Sequence, residues 1–185
     1  MQVFYSIDLA IFYFFNHTIS TGFLDKFFSI ITDVKSWYIV YVILLGIVFF
    51  KGGRQGKLAV LGILILIIIS DQVGYRLLKE LFQRLRPCNS LADVLTPIGC
   101  NGSYSFPSNH AINNFAAAAF FSAIYKKYKV ILYIIASLIA ISRIYLGLHY
   151  PSDIIAGAAI GMALGYIFGY IVLKLDASFE TKKAK

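Results

Sequence analysis

Four long stretches of apolar residues most constrain what this chain can fold into. They cover residues 58–78, 111–125, 130–148 and 154–173, and the last stretch contains no charged residue. A helix needs about 20 predominantly apolar residues to cross a bilayer. With 59% hydrophobic and 14% charged residues, the chain has the composition of a membrane protein. We therefore predict an all-α, polytopic transmembrane helical bundle that forms one domain, 1–185.

The number of spans depends on two weaker stretches. A fifth span is predicted over 37–50, extended back towards Asp33 to reach the required length, so that the transmembrane core covers 37–175. The N-terminal region, 1–33, has two shorter apolar patches, and Asp8 interrupts the first of them. This region is either a sixth, short span or a helical pair in the membrane interface, and we favour an interfacial or partly inserted element. The prediction is thus five or six spans.

The basic residues indicate which way the bundle faces. The net charge of +8 would suggest nucleic acid as the partner of a soluble protein, but here the charge is sorted between loops. Basic loops mark the cytoplasmic face of a membrane protein. That face, with the C-terminus, carries three clusters: Lys51, Arg54 and Lys57; Lys126, Lys127 and Lys129; and Lys174, Lys182, Lys183 and Lys185. The polar motifs described next fall on the opposite, outward face, so we predict an extracytoplasmic site and no nucleic-acid partner.

The first motif pairs two cations. Lys79 and Arg86 are seven residues apart, so they leave one face if the helix continues until Pro87 ends it. Such a pair would suit a phosphate, although basic residues at a membrane boundary also snorkel to lipid headgroups. We expect Arg84 to take that second role, with Glu80 four residues before it.

The second motif precedes the stretch 111–125. Ser108 or Asn109 is a suitable N-cap, and the free N–H groups of a first helical turn favour a bound anion. His110 would then stand beside that negative charge. The alternative is a plain helix cap with an interfacial histidine.

The third motif surrounds the end of the stretch 130–148. Arg143 is a guanidinium within a span, which usually marks a functional site. His149 follows in the turn, Pro151 suits the first residue of the next helix, and Asp153 is close enough to accept the Nδ1–H of the imidazole. That bond would leave Nε2 free as a nucleophile. The alternative is an Asp–His pair that only holds the loop.

Together these residues resemble the three signature motifs of the type 2 phosphatidic acid phosphatase superfamily, which includes vanadium haloperoxidases and bacterial non-specific acid phosphatases. The order and separations agree from Lys79 to Asp153. The one departure is Asn109, where the family's second motif has glycine; asparagine tolerates left-handed backbone angles better than most residues. The resemblance is carried by Lys79, Arg86 and Pro87; by Pro107, Ser108, Asn109 and His110; and by Ser142, Arg143, His149 and Asp153.

The resemblance implies a two-step phosphoryl transfer without a metal or cofactor. His149 would attack phosphorus and form a phosphohistidine, with Asp153 holding its ring. His110 would protonate the leaving oxygen and then help to activate water. A zinc ion is disfavoured, because the surrounding lysine and arginine would repel it. The implied phosphate ligands are Lys79, Arg86, Ser108, the Asn109 amide and Arg143.

As a function, the resemblance implies a lipid phosphatase in the bacterial inner membrane, as a monomer or homodimer. Bacterial relatives of this size act on undecaprenyl pyrophosphate, phosphatidylglycerol phosphate or the 1-phosphate of lipid A. One alternative is a phosphotransferase that passes the group from His149 to another lipid or sugar. A non-catalytic lipid transporter is a further alternative, and a haloperoxidase is disfavoured because those relatives are soluble.

Three remaining features predict local structure. Cys88 and Cys100 lie in the outward loop, where they form either a disulfide or two free thiols. Asp71 lies within a span and needs a partner there, for which Arg76 and Arg143 are the candidates. Glycines at every fourth position of the last span predict close helix packing, within the chain or across a dimer: Gly157, Gly161, Gly165 and Gly169.

Overall fold

The computed structural model describes residues 2–183, and these residues contain helices but no β-strand, as the sequence predicts. Short π-helical or 3-10 segments follow α1, α2, α4 and α7 in the described range. The nine α-helices of that range are α1 Gln2–Tyr13, α2 Gly22–Thr32, α3 Tyr38–Lys51, α4 Gly53–Gln72, α5 Lys79–Phe82, α6 Pro87–Ser90, α7 Asn109–Ile124, α8 Lys129–Tyr145 and α9 Pro151–Lys183.

Within residues 2–183, four helical stretches are long and apolar enough to cross a membrane: Val34–Lys51, Gly53–Ser90, Lys126–Tyr145 and Pro151–Glu180. The first of them includes the expected extension towards Asp33. Helix α7 has only 16 residues, but it lies at the centre of the bundle, with Ala116, Ala119 and Phe120 fully buried. The fold class is thus confirmed, whereas five or six spans and the side that the site faces remain predictions.

Helices α7 and α9 approach closely because α9 presents its glycine stripe to α7. A Cβ atom added at Gly161 would lie 2.3 Å from the carbonyl oxygen of Ile112, and one at Gly165 would lie 2.3 Å from that of Ala116. Neither position has room for any side chain. The predicted packing role is therefore confirmed, and the partner helix belongs to the same chain.

The N-terminal region is a helical pair. With 12 and 11 residues, α1 and α2 are shorter than the length of about 20 residues that a span needs. Phe12 of α1 is buried against Ala140 and Ile144 of α8, and Phe28 of α2 is buried against Tyr145 at the end of that helix. The pair therefore packs beside the end of α8 that carries Arg143.

The opposite end of the bundle carries Arg54 and Lys174 of the basic clusters, whereas Lys185 lies outside the described residues. Arg54, at the start of α4, lies 2.6 Å from Asp176 of α9 and 3.3 Å from Glu180. The turn between α3 and α4 therefore meets the C-terminal end of α9, where Lys174 lies. This arrangement agrees with the sorting of basic residues to one face.

Candidate active site

The helix that carries Lys79 ends at Phe82 rather than at Pro87, so the expectation that Lys79 and Arg86 leave one helix face is wrong. Gln83 adopts a left-handed backbone with φ of 46°, and Arg86 is extended. Both side chains nevertheless turn inward, since Lys79 is 3% exposed and Arg86 is 4% exposed. The left-handed turn, and not helical periodicity, brings the two cations together.

His149 lies at the centre of the site, in the link between α8 and α9. Its Nδ1 is 3.4 Å from Oδ2 of Asp153, and its Nε2 is 3.2 Å from Nη1 of Arg86. Burial lowers the pKa of His149 to about 3, and the charges of Arg86 and Arg143 act in the same direction against the opposing effect of Asp153. The imidazole is therefore neutral at physiological pH and can act as a nucleophile.

Asp153 is fully buried in the first turn of α9, and both of its oxygens have partners. Oδ1 accepts a hydrogen bond of 2.7 Å from Arg84, and Oδ2 accepts one of 2.9 Å from the backbone N–H of Tyr150. The hydroxyl of Ser105 also donates to Oδ2. A carboxylate held in this way can orient the His149 ring but has no oxygen left over for substrate.

Arg143 comes from the last turn of α8 and is 6% exposed. Its Nη1 donates a hydrogen bond of 2.9 Å to the hydroxyl of Thr32, at the end of α2. Its Nε is buried and meets no acceptor among the described residues. An unsatisfied guanidinium N–H in a cluster of cations is a donor that a phosphate oxygen would satisfy.

His110 lies in the first turn of α7 and joins the same cluster. Burial, together with the charges of Arg143, Arg86 and Lys79, lowers the pKa of His110 to about 3, and the backbone of Thr32, which hydrogen-bonds to the ring, acts in the opposite direction. The structure thus brings both predicted histidines into one site with the three predicted cations.

Ser108 is the N-cap of α7, where its hydroxyl accepts from the N–H of Ala111 at 3.5 Å. The neighbouring Asn109 side chain reaches α4, where its Nδ2 donates to Oδ1 of Asp71 at 3.0 Å. The partner of Asp71 is therefore Asn109. The expectation that Arg76 or Arg143 would pair with Asp71 is wrong. Only the backbone of Asn109 remains to bind phosphate.

Sequence reasoning missed a loop segment that lines the site, 103–105. Ser103 accepts two hydrogen bonds from Arg86, at 2.8 and 2.9 Å, and the carbonyl of Tyr104 accepts one from Lys79. The third residue, Ser105, contacts Asp153. A disulfide between Cys88 and Cys100 closes the loop just before this segment, with a Cα–Cα distance of 6.1 Å.

Arg84 was also misassigned, because it pairs with Asp8 and Asp153 rather than with Glu80. Both contacts are 2.7 Å long. The signal that could have found this network is Asp8 itself, since a carboxylate inside an apolar helix is costly unless it has a partner. No spacing rule, however, connects residue 8 to residue 84.

The arrangement can bind and transfer a phosphoryl group. Lys79, Arg86 and Arg143 could supply positive charge for the non-bridging oxygens of a phosphate, and His149 could supply an uncharged imidazole. Catalysis of phosphoryl transfer consists mainly of positioning and charge stabilisation. Among the described residues no three His, Cys, Asp or Glu side chains cluster as metal ligands.

Comparison with known families and proteins agrees with this geometry. A family model described as the PAP2 superfamily matches residues 60–176. The lipid A 4'-phosphatase of Bacteroides thetaiotaomicron is 34% identical over 183 residues, which are 95% of this chain and 81% of that protein. Phosphatidylglycerophosphatase B of Bacillus subtilis is 30% identical over 140 residues, covering 70% of this chain and 64% of that protein.

Two solved structures share the fold. Aquifex aeolicus LpxE superposes with a TM-score of 0.69 at 31% identity, over 91% of this chain and 95% of that chain. The PAP2 type phosphatidylglycerolphosphate phosphatase of Bacillus subtilis superposes with a TM-score of 0.72 at 25% identity, over 96% of this chain and 88% of that chain. The likeness therefore extends beyond the motifs to almost the whole chain.

Proposed function

Because this chain belongs to the PAP2 superfamily, and is a membrane lipid phosphatase of that type, we propose that it works through a phosphohistidine formed on His149. The observation that carries the proposal is the position of His149 Nε2, which is 3.2 Å from a guanidinium that can hold the phosphate. Its Nδ1 faces Asp153, so the lone pair on Nε2 is directed at the bound group.

In the first step, Nε2 forms a bond to phosphorus while the bond from phosphorus to the lipid oxygen breaks. His110, in the protonated form that the negative charge of the bound phosphate favours, gives a proton to that leaving oxygen. In the second step, His110 takes a proton from water, the water oxygen bonds to phosphorus, and the P–N bond breaks. Inorganic phosphate and the starting enzyme are the products.

The substrate that we propose is a phosphate group of lipid A. The support is the 34% identity, over 95% of this chain, to a protein named lipid A 4'-phosphatase, together with the fold shared with LpxE. Phosphatidylglycerol phosphate is the second substrate to test, because the matching protein from Bacillus subtilis is named for it. Undecaprenyl pyrophosphate is the third.

The experiment is a phosphate-release assay on these three lipids with the purified chain in detergent, first without added metal and then with EDTA. We expect release from lipid A to be fastest and unaffected by EDTA. Loss of activity in EDTA would contradict the proposed mechanism. If the labelled phosphate is recovered on an acceptor lipid and not as free phosphate, the chain is a phosphotransferase instead.

For the location we propose the bacterial inner membrane, with the site facing outward and the C-terminus in the cytoplasm. The support is the end of the bundle where Arg54 meets Asp176, which carries the basic residues typical of a cytoplasmic face. Labelling of single cysteines introduced at each end, with a reagent that cannot cross the membrane, tests this orientation.

A further inference from the structure

Asp8, a residue outside the matched family region, contacts the residues that hold Asp153. Asp8 lies on α1, whereas the family match begins at residue 60. Its side chain is 7% exposed, although the helix around it is largely exposed. A buried carboxylate is costly unless it is paired and hydrogen-bonded, so its partners indicate what the residue does.

Asp8 has partners on two other segments. Oδ2 accepts from Nη2 of Arg84 at 2.7 Å and from the hydroxyl of Ser152 at 2.6 Å. Oδ1 accepts from the backbone N–H of Ser152 at 2.8 Å, in the first turn of α9. Asp8 therefore holds the guanidinium and the start of the helix that carries Asp153.

Arg84 connects two carboxylates. While Nη2 binds Asp8, Nη1 binds Oδ1 of Asp153 at 2.7 Å and the hydroxyl of Ser152 at 2.6 Å. The guanidinium also lies 4.0 Å from the ring centre of Tyr150. Each terminal nitrogen of the guanidinium thus donates to a different carboxylate, and Arg84 hydrogen-bonds to only one oxygen of Asp153.

The division matters because the other oxygen of Asp153 faces His149. Without the charge of Asp8, Nη2 of Arg84 would lose its charged acceptor, and the guanidinium could instead bind both oxygens of Asp153 in the bidentate geometry that arginine prefers. Oδ2 would then be drawn from Nδ1 of His149, and the imidazole would lose its orientation.

We propose that Asp8 is a positioning residue for phosphoryl transfer: it fixes Arg84, which fixes Asp153, which orients His149. The proposal rests on the proposed role of His149 as the nucleophile. Because Lys79, Arg86 and Arg143 make no contact with Asp8, binding of the phosphate does not depend on it. Asp8 therefore acts on kcat and not on KM.

The test compares D8N with N16A in the purified full-length chain, on whichever lipid of the panel the wild type hydrolyses fastest. Asn16 is a matched control, because it is fully buried and also ties the N-terminal segment to the site end. It binds Leu95 at 2.8 and 3.0 Å and Tyr145 at 2.7 Å, and it touches neither Arg84 nor Asp153.

We expect D8N to lower kcat about tenfold or more with KM unchanged, since small errors in the position of a reacting group cost this much. N16A should lower thermal stability and leave kcat within about twofold. Equal loss of kcat in both variants would overturn the proposal, because Asp8 would then be only an anchor.

A double-mutant cycle separates the path through Arg84 from a general loss of structure. In an R84Q background, D8N should have no further effect on kcat, whereas an independent role for Asp8 predicts the same loss as in the wild type. If D8N does not fold, the kcat of the R84Q single variant tests the proposal instead. A wild-type kcat in R84Q would overturn it. Phosphate release by H149A would refute the nucleophile and is a separate outcome.

Discussion

Nη1 of Arg86 and Nε2 of His149 lie 3.2 Å apart and face each other. The guanidinium can only donate, so Nε2 must be the acceptor and the proton of the neutral ring must be on Nδ1, towards Asp153. The lone pair that binds Arg86 is the one that the proposed mechanism directs at phosphorus. A phosphate that takes over the N–H of Arg86 would therefore lie directly in front of the proposed nucleophile.

This relationship predicts that H149A abolishes turnover. Loss of the nucleophile should reduce phosphate release at least about 10³-fold, because the positive cluster can bind substrate but cannot form the intermediate. The measurement is release of phosphate from the best lipid of the panel at saturating concentration. H17A is the matched control and should keep kcat, since His17 forms an ion pair with Asp93 at 4.0 Å and contacts no residue of the site among those described. Residual activity of H149A near the H17A level would contradict the mechanism.

The lowered pKa of His149 predicts a dependence of stability on pH. In the unfolded chain the ring titrates near its ordinary pKa of 6.5, whereas in the folded protein it stays neutral down to about 3. The unfolded state thus binds the additional proton, and stability falls as pH falls through this window. Thermal unfolding of the wild type and of H149Q, measured from pH 7 to pH 5, should show a smaller loss in the variant. An identical loss would mean that His149 is not buried in its neutral form.

The sequence predicted the elements whose signals are local. Long apolar stretches predicted the helices, and the spacing of His149 and Asp153 predicted their contact across one turn. The glycine stripe predicted the packing of α9. Each of these inferences uses residues within a few turns of one helix, where geometry is nearly fixed by the backbone.

The parts that could not be predicted depend on backbone turns and on contacts between distant segments. Lys79 and Arg86 were expected to share a helix face, but the left-handed Gln83 ends that helix. Arg84 was expected to pair with Glu80, yet a carboxylate 76 residues away competes successfully. In an apolar surrounding every buried charge needs a partner, but the sequence does not say which one.

The disulfide between Cys88 and Cys100 should stabilise the loop next to the site. Closing a loop with a sequence separation of 12 contributes about 3 kcal/mol. The double variant C88A/C100A should therefore unfold at a lower temperature. Its KM should also rise, because Ser103 and Tyr104, just beyond the disulfide, contact Arg86 and Lys79. Reductant should lower the stability of the wild type and leave the variant unchanged; an equal response in both would contradict this role.

The side chain of Asn109 is predicted to serve stability rather than catalysis. N109G restores the residue typical of the second motif and removes the bond to Asp71, which should cost about 1–3 kcal/mol. Because that side chain is bound to Asp71 on α4, kcat should stay within about threefold of the wild type. Chemical unfolding and the lipid assay measure the two effects. In a D71N background the stability cost should shrink, since no charge then lacks a partner.

The close contact of α7 and α9 makes the geometry of the site depend on Gly165. A methyl group there would lie 2.3 Å from the carbonyl oxygen of Ala116, so G165A must force the helices apart. Overpacking of this kind typically costs about 1–3 kcal/mol. Because α7 carries His110 and α9 carries Asp153, kcat should fall together with the temperature of unfolding.

Gly46 provides the matched control for that substitution. It lies in the apolar helix α3, and a Cβ atom there would meet nothing within 4 Å. G46A should leave stability unchanged or raise it by up to about 1 kcal/mol, because alanine favours a helix more than glycine does. If G165A has the same unfolding temperature and the same kcat as G46A, α7 and α9 can move apart without any effect on stability or activity. That result would mean that the spacing of α7 and α9 does not determine the position of His110 in the site.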